Sequence, residues 1–366
     1  MTKGFLVLET GECYEGCILN TSTSTADFER AGEVVFNTSN TGYEEIATDP
    51  SYFSQIIVMT APQQGNYGIS KDFWESKDIH IQGFIALEIQ QTARENSWVN
   101  QLIKHNVPML TGIDTRDLTM RLRGGGTPWG AIVVAETATT AKTKADKLIQ
   151  AKRGIDKDWV YAVSAKDNQV IKGENASGPR VAILDLGTKQ NIVRLAMKYA
   201  NEVKIFNSRA TPAEINAYNP QAILLTNGPG DPADVQVAAE TTRSFIGKRP
   251  IYGICMGHQI LCLALGAKTY KLKFGHRGSN HPIRDEVIDR IYVSSQNHGY
   301  AVDPKTLPSD VKITHTNLND QSVAGIYSKE KNILGIQYHP EACPGPHEAQ
   351  GLFGFFFDEM VANYKF

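Results

Sequence analysis

The pattern of apolar and polar positions divides the chain into two halves of different character. In the first half, short apolar runs at residues 5–8, 33–37, 55–60 and 83–89 are rich in β-branched and aromatic side chains and read as strands. Asn40-Thr41-Gly42 and Gln64-Gly65-Asn66 supply turn chemistry between them. Helical spacing appears over 97–106, 115–123 and 141–152. The second half alternates strand and helix. Residues 181–185, 203–206, 222–226 and 251–254 are apolar on consecutive positions, as strands covered on both faces are. Helical stretches follow over 190–199 and from Thr211-Pro212, a cap with a proline in the first turn. More strands are predicted at 291–295, 311–316, 322–327 and 333–338, and a last helix over 347–364. The fold class is α/β: a β-rich α+β domain, then a domain built on a mostly parallel central sheet.

The polar, Gly/Ser/Pro-containing stretch from Lys172 to Pro179 reads as the connection, giving domains 1–172 and 180–366 with a linker at 173–179. A length of 366 residues accommodates both. Thr21-Ser22-Thr23-Ser24-Thr25 is a low-complexity patch expected to be a surface loop. With 37 Lys and Arg against 39 Asp and Glu, the chain lacks the basic excess of a nucleic-acid binder. It has no apolar run long enough for a membrane span, and Glu9 arrives too early for a secretory signal. Five cysteines in a chain of this length do not make a disulfide framework. The expected setting is a reducing, cytoplasmic one, with neither nucleic acid nor membrane as partner.

Candidate chemistry lies in the second half. Gly253-Ile254-Cys255-Met256-Gly257 follows a buried strand and opens an apolar helix. This is the thiol form of a nucleophile elbow, in which small residues flank the nucleophile because the turn is tight. A helix N-terminus favours the thiolate, and the Met256 N–H is placed to hold a developing oxyanion. A thiolate needs a base, and His339 ends an apolar strand, with Glu341 two residues on to fix its tautomer. Thr226-Asn227-Gly228-Pro229-Gly230-Asp231-Pro232 ends the strand before the elbow strand and forms a loop of fixed shape beside Cys255. Other features carry less. Arg123-Gly124-Gly125-Gly126 lacks the Lys-Ser/Thr of a phosphate loop and reads as a flexible connection. His339, Glu341, Cys343 and His347 match no paired-ligand spacing, so no metal is assigned. Cys262 reads as a core thiol, and Cys13 and Cys17 as ordinary thiols in a turn-rich segment.

Gly228 to Pro232, Gly253 to Gln259 and His339-Pro340-Glu341 together resemble the class I, triad-type glutamine amidotransferases. Longer motifs resemble one branch, the small glutamine-hydrolysing subunits of carbamoyl-phosphate synthase. They are Val35 to Ser39, Thr41 to Glu45, Thr48 to Tyr52, Asp185 to Ile192, Lys273 to Pro282, Gln296 to Tyr300 and Pro340 to His347. Met256, Tyr300 and Cys343 stand where that family often has Leu, Phe and Ser. The resemblance implies a Cys255–His339–Glu341 triad that hydrolyses the side-chain amide of L-glutamine to glutamate and ammonia. Met256 and Gly230 would donate to the oxyanion. Ser51, Gly228, Gln259, Asn297, Gly299 and Tyr300 would hold the amino-acid end, and Ser51 would bring the N-terminal domain into the site. It further implies a large synthetase subunit as partner, in a heterodimer or higher oligomer. That partner would receive ammonia through a tunnel and carry the bicarbonate, ATP and Mg chemistry of carbamoyl phosphate synthesis for arginine and pyrimidines. No cofactor is expected on this chain.

Overall fold

The computed structural model describes residues 2–19, 28–90 and 97–365, and the Thr21–Thr25 patch lies outside them. The chain separates into two compact units, Met1–Lys157 and Asp158–Phe366.

The first unit contains a closed barrel. Its strands are β1 (Thr2–Leu8), β2 (Cys13–Ile18), β3 (Arg30–Asn37), β4 (Gln55–Met59), β6 (Gly83–Ile85), β8 (Met109–Thr111) and β9 (Trp129–Val134). Around the barrel they run β1-β2-β8-β6-β4-β3-β9, with β3, β4, β6 and β8 parallel. The two-residue strands β5 (Gln63–Gln64) and β7 (Glu88–Ile89) pair separately. Val35, Ile57, Phe84 and Met109 meet Tyr43, Ile46, Trp98 and Leu102 of two short helices. Ala141, Ala145 and Ile149, spaced by four on the helix Ala138–Ile155, cover Phe5, Val7 and Val133. Cys13 and Cys17 lie in β2 rather than in turns, and residues 124–125 continue the helix Thr115–Gly125 instead of forming a loose connection.

The second unit is built on one ten-stranded sheet. Its strands are β10 (Gln169–Lys172), β11 (Arg180–Asp185), β12 (Glu202–Asn207), β13 (Ala222–Leu225), β14 (Ile251–Ile254), β15 (Thr269–Asp285), β16 (Arg290–Val302), β17 (Lys312–Asn317), β18 (Val323–Ser328) and β19 (Ile333–Ile336). The order is β10-β12-β11-β13-β14-β19-β18-β17-β15-β16. Strands β12, β11, β13, β14 and β19 are parallel neighbours, and the rest is antiparallel. Side chains alternate between two cores. Val181, Ile183, Leu224, Tyr252, Ile254 and Ile336 face one, while Ala182, Leu184, Ile223, Leu225, Ile251 and Ile333 face the other. Thr211 caps its helix in a reciprocal box with Glu214, as the Thr-Pro start predicts.

Three sequence expectations need adjusting. The long hairpin strand β15 carries no clear apolar alternation and escaped prediction. Toward the C-terminus the expected helix is a 3-10 turn, a short α-helix (Gly351–Gly354) and a π-helix (Phe355–Val361). The buried pairs there, Leu352-Phe353, Phe356-Phe357 and Met360-Val361, recur every four residues. That spacing is wider than the α-helical repeat of about 3.6, and a wider turn keeps all three pairs on the sheet. Residues 173–179 are not a linker between the units. β10 already pairs with β12, and the following segment is tied to the end of the helix Gln190–Tyr199 by Gly173 N–H to Asn201 O (2.7 Å) and Asn201 N–H to Pro179 O (3.0 Å). Its glycines permit close backbone contact: a Cβ on Gly178 would lie 2.0 Å from the Tyr199 carbonyl oxygen.

A paired substitution tests that packing. Gly178→Ala should destabilise the protein by about 2 kcal/mol or more, because a carbonyl must move to admit the methyl. Gly154→Ala, on an exposed helix position with nothing within 4 Å, should stabilise by roughly 0.5 kcal/mol. Calorimetric unfolding of both variants gives the comparison, and a silent Gly178→Ala would return the segment to the status of a loose linker.

Candidate active site

The parallel strands all end at one edge of the sheet, and the sequence-predicted residues of the second unit gather there. The chain leaves β11 for β12 on one side and returns to β13 on the other, so the loops after β11 and β13 flank a topological switch point, where open α/β sheets place ligands. Cys255 follows β14 directly at φ 54°, ψ −105°, outside the regions a side-chain-bearing residue ordinarily adopts. It heads the helix Met256–Ala264. Its N–H donates to Ile336 O of the neighbouring strand at 2.7 Å. The flanking glycines are sterically required: a Cβ on Gly253 would sit 2.5 Å from Gly257 O, and one on Gly257 would sit 2.2 Å from Leu225 O. Met256 occupies the first helical position, where the N–H has no partner within the helix.

The loop after β13 lies against this turn, since Gly257 N–H donates to Thr226 O at 2.9 Å. Gly228 passes so close to Leu186 that a Cβ would lie 2.1 Å from its carbonyl oxygen, and Gly230 adopts φ 90°. Asn227 Oδ1 accepts from Lys189 N–H (3.0 Å), joining the loops after β11 and β13.

His339 is carried just beyond β19, on the strand next to the nucleophile's. Its N–H donates to Ser295 O at 2.9 Å, and Nδ1–H donates to Glu341 Oε1 at 2.6 Å. Both side chains are buried, and among the described residues His339 Nε2 makes no hydrogen bond of standard geometry. Lys189, also buried, sets its ammonium 3.0 Å from the same Glu341 oxygen and donates to Ala342 O. Burial opposes charge on His339, but the Glu341 carboxylate and the Cys255 sulfur outweigh it and raise the pKa, while Lys189 works the other way. For Glu341 burial is again the largest opposing effect, and Lys189 and His339 together hold it below the ordinary carboxylate value. The same contacts thus favour charge on both the ring and the carboxylate.

Gln259, one turn into the helix, donates from Nε2 to Tyr300 O (2.7 Å) and to Gln337 Oε1 (3.0 Å). Asn297 brings its carbonyl oxygen to 3.5 Å from Cys255 Sγ. Gly299 leaves room for Arg277, whose Nη2 would stand 3.3 Å from a Cβ there. The structure thus brings together Cys255, Met256, Gln259, Asn297, Tyr300, His339 and Glu341, with Gly228, Gly230 and Gly299 in the adjoining loop and strand. Ser51 belongs to the first unit, buried in the turn Pro50–Tyr52 with its N–H donated to Asp49 Oδ1 at 2.9 Å.

Two residues were missed as individuals. Lys189 lies in a motif quoted for resemblance, yet nothing in a lone lysine before a helix announces a buried partner for Glu341. Gln337 accepts from Gln259 and places Nε2 3.9 Å from Cys255 Sγ. Its signal was available, since it lies near the end of the apolar run 333–338 predicted as a strand, two residues before His339. Asn191 adds a third tie, donating from Nδ2 to Glu341 O and lying 3.3 Å from Cys343 Sγ, where Ala342 and Cys343 both have positive φ.

The chain is similar to known proteins along nearly its whole length. The profile of the family Glutamine amidotransferase class-I matches residues 182–359, and that of Carbamoyl-phosphate synthase small chain, CPSase domain, matches residues 6–132. The chain is 42% identical to the carbamoyl phosphate synthase small chain of Caldanaerobacter subterraneus, over 99% of this chain and 98% of that one. It is 44% identical to the protein of the same description from Clostridium perfringens, over 98% and 99%. A third relative so described, from Methanococcus maripaludis, is 41% identical over 98% and 96%. With likeness of this degree over essentially its full length, the chain belongs to the carbamoyl phosphate synthase small chain family, its second half being a class-I glutamine amidotransferase domain.

Proposed function

We propose that the chain hydrolyses the side-chain amide of L-glutamine through a Cys255–His339–Glu341 triad and delivers the ammonia to a large synthetase subunit. The observation that carries this reading is the strained elbow at Cys255 on the strand adjoining the buried His339–Glu341 pair. The Cys255 thiolate attacks the amide carbon, and the oxyanion forms against the N–H groups of Met256 and Gly230. The His339 imidazolium gives its proton to the leaving nitrogen, so ammonia departs and a thioester remains. Neutral His339 then takes a proton from water as the hydroxyl attacks the thioester, and collapse restores the thiolate and releases glutamate. Glu341 orients the ring and balances its charge. Gly228, Gln259, Asn297, Gly299 and Tyr300 hold the amino-acid end of the substrate, and Ser51 is assigned there by resemblance alone. Bicarbonate, ATP and Mg belong to the large subunit, in a heterodimer or higher oligomer. The carbamoyl phosphate serves arginine and pyrimidine synthesis in the cytoplasm.

Cys255→Ser tests the assignment. It should abolish glutamine-dependent carbamoyl phosphate synthesis by the reconstituted complex while ammonia-dependent synthesis continues, because amide hydrolysis alone needs the thiolate. Equal loss of both would remove Cys255 from that step. Adding the large subunit should also accelerate the slow glutaminase of the isolated chain, an expected coupling that an unchanged rate would contradict.

The buried charges generate a second set of outcomes. Glu341→Gln should lower kcat about tenfold, against orders of magnitude for His339→Asn, since Glu341 orients without exchanging a proton. It also strands the Lys189 ammonium, so it should cost roughly 3–5 kcal/mol of stability, much of which the double variant with Lys189→Met recovers. Lys189→Met alone removes a positive charge that disfavours the imidazolium. The His339 pKa should then rise further, and the alkaline limb of the kcat/KM profile should move to higher pH. A limb that stays in place would show that His339 does not control it.

A further inference from the structure

The strand that borders the nucleophile has an interrupted backbone ladder. β16 is the terminal strand of the sheet and pairs with β15, and that ladder slips twice, between Lys271 and His276 and between Gly278 and His281. Between the slips only three pairs remain: His276 with His298, Arg277 with Asn297, and Gly278 with Gln296. Asn297 is the residue whose carbonyl reaches Cys255 Sγ, and Tyr300 is the one that receives Gln259. Over this patch the ladder to β15 is interrupted on both sides, so side-chain contacts share in setting the local geometry of the segment.

Side chains supply what the ladder lacks. Tyr300 O, besides Gln259 Nε2–H, accepts His298 Nδ1–H at 2.7 Å. His298 Nε2 lies 2.8 Å from Gln296 Oε1 and 3.3 Å from His276 Nδ1, the two rings meeting edge to face. His276 Nε2–H donates to Asp320 Oδ2 at 2.9 Å. The other Asp320 oxygen accepts Ser322 N–H (3.0 Å) and Ser322 Oγ–H (2.7 Å), fixing the carboxylate in the turn between β17 and β18. Asn317, at the end of β17, places Nδ2 3.3 Å from His276 Nδ1 while its Oδ1 accepts Asn319 N–H at 3.0 Å. Both imidazoles are buried, and with one proton given to Tyr300 O and the other to Asp320 the two rings hold each other by their edge-to-face packing, so loss of either ring would leave a void beside the 296–300 segment.

We infer that Asp320 and His276 are positioning residues for substrate binding: acting through His298, they hold the 296–300 segment in register against Cys255 and Gln259. This deepens the glutaminase reading and rests on it. The chain starts at a half-exposed carboxylate on one turn and ends at the carbonyl that anchors the nucleophile's helix. His276 and Asp320 stand outside the proton path, which runs through Cys255 and His339. Loosening them should change how well the amino-acid end of glutamine is held and leave the reaction of bound substrate nearly as it was.

The test is steady-state glutamine hydrolysis by the full-length chain with its large subunit, alongside thermal unfolding. His276→Ala should raise KM for glutamine about tenfold with kcat within about twofold, the pattern of lost binding. His276→Asn, which keeps a polar group where Nδ1 stands, should recover most of that loss. Asp320→Asn, isosteric and at a half-exposed position, retains the fold and should raise KM roughly threefold. Ammonia-dependent synthesis should match the wild type in all three. A lowered Tm with unchanged KM would make the cluster merely structural and overturn the inference. A fall in kcat equal to that in kcat/KM would do the same by placing His276 at the chemical step. A wild-type complex that releases no glutamate is a different failure, of the glutaminase reading itself, and is seen before any variant is compared.

Discussion

A cysteine at φ 54°, ψ −105° persists only where its surroundings over-determine it, and the second unit is arranged to do so. The turn is compressed between β13 and β19. Cys255 N–H is tied to Ile336 O on one side, and Gly257 N–H to Thr226 O on the other. Both flanking glycines lie at backbone separations that no Cβ could share. These contacts need adjacent apolar strands in register that bring their carboxyl ends level, and Ala222–Leu225, Ile251–Ile254 and Ile333–Ile336 are buried throughout. The strain at one residue is thus underwritten by the packing of three strands and two cores.

Charge is organised around the same edge. Glu341 shares one oxygen between His339 and Lys189, and all three are removed from water. Buried ions are costly unless closely matched, and here the match couples two things. Lys189 also holds the carbonyl of Ala342, in the loop of positive-φ residues that follows Glu341. Orientation of the imidazole and shape of that loop are therefore set by one ammonium, on a residue whose backbone N–H is tied to Asn227 in the loop after β13. Shifts of either loop would be felt at His339.

How much of this could be read from sequence depended on locality. The elbow, the His-Pro-Glu segment and the Gly-Pro-Gly loop are each contiguous, and each carries turn chemistry that constrains its own backbone, so they were legible. Lys189 was not, because its burial depends on residues about 150 positions away. β15 was hidden since Lys271 to Pro282 mixes cations, glycines and histidines with two bulges, which erases the period-two pattern. In the barrel, β2 and β8 are short or polar and draw their stability from neighbours rather than from their own propensity. The segment 173–179 misled for the opposite reason: its glycines and proline announce a linker, yet they serve close packing against the end of a helix.

Register explains why a nucleophile and base 84 positions apart in sequence need so little else to meet. β14 and β19 are parallel neighbours with Gly253 beside Gly335 and Ile254 beside Ile336, so the chain arrives at Cys255 and Gln337 side by side. Gln337 places Nε2 3.9 Å from the sulfur, and His339 follows two residues on, past the end of β19. The Ser295–His339 bridge extends the strand direction past the end of β19 and prevents His339 from swinging away. That bridge begins on β16, immediately before the segment carrying Asn297 and Tyr300. The antiparallel extension of the sheet consequently serves the base and the substrate wall with one strand, and a change in the register of β16 must disturb both together.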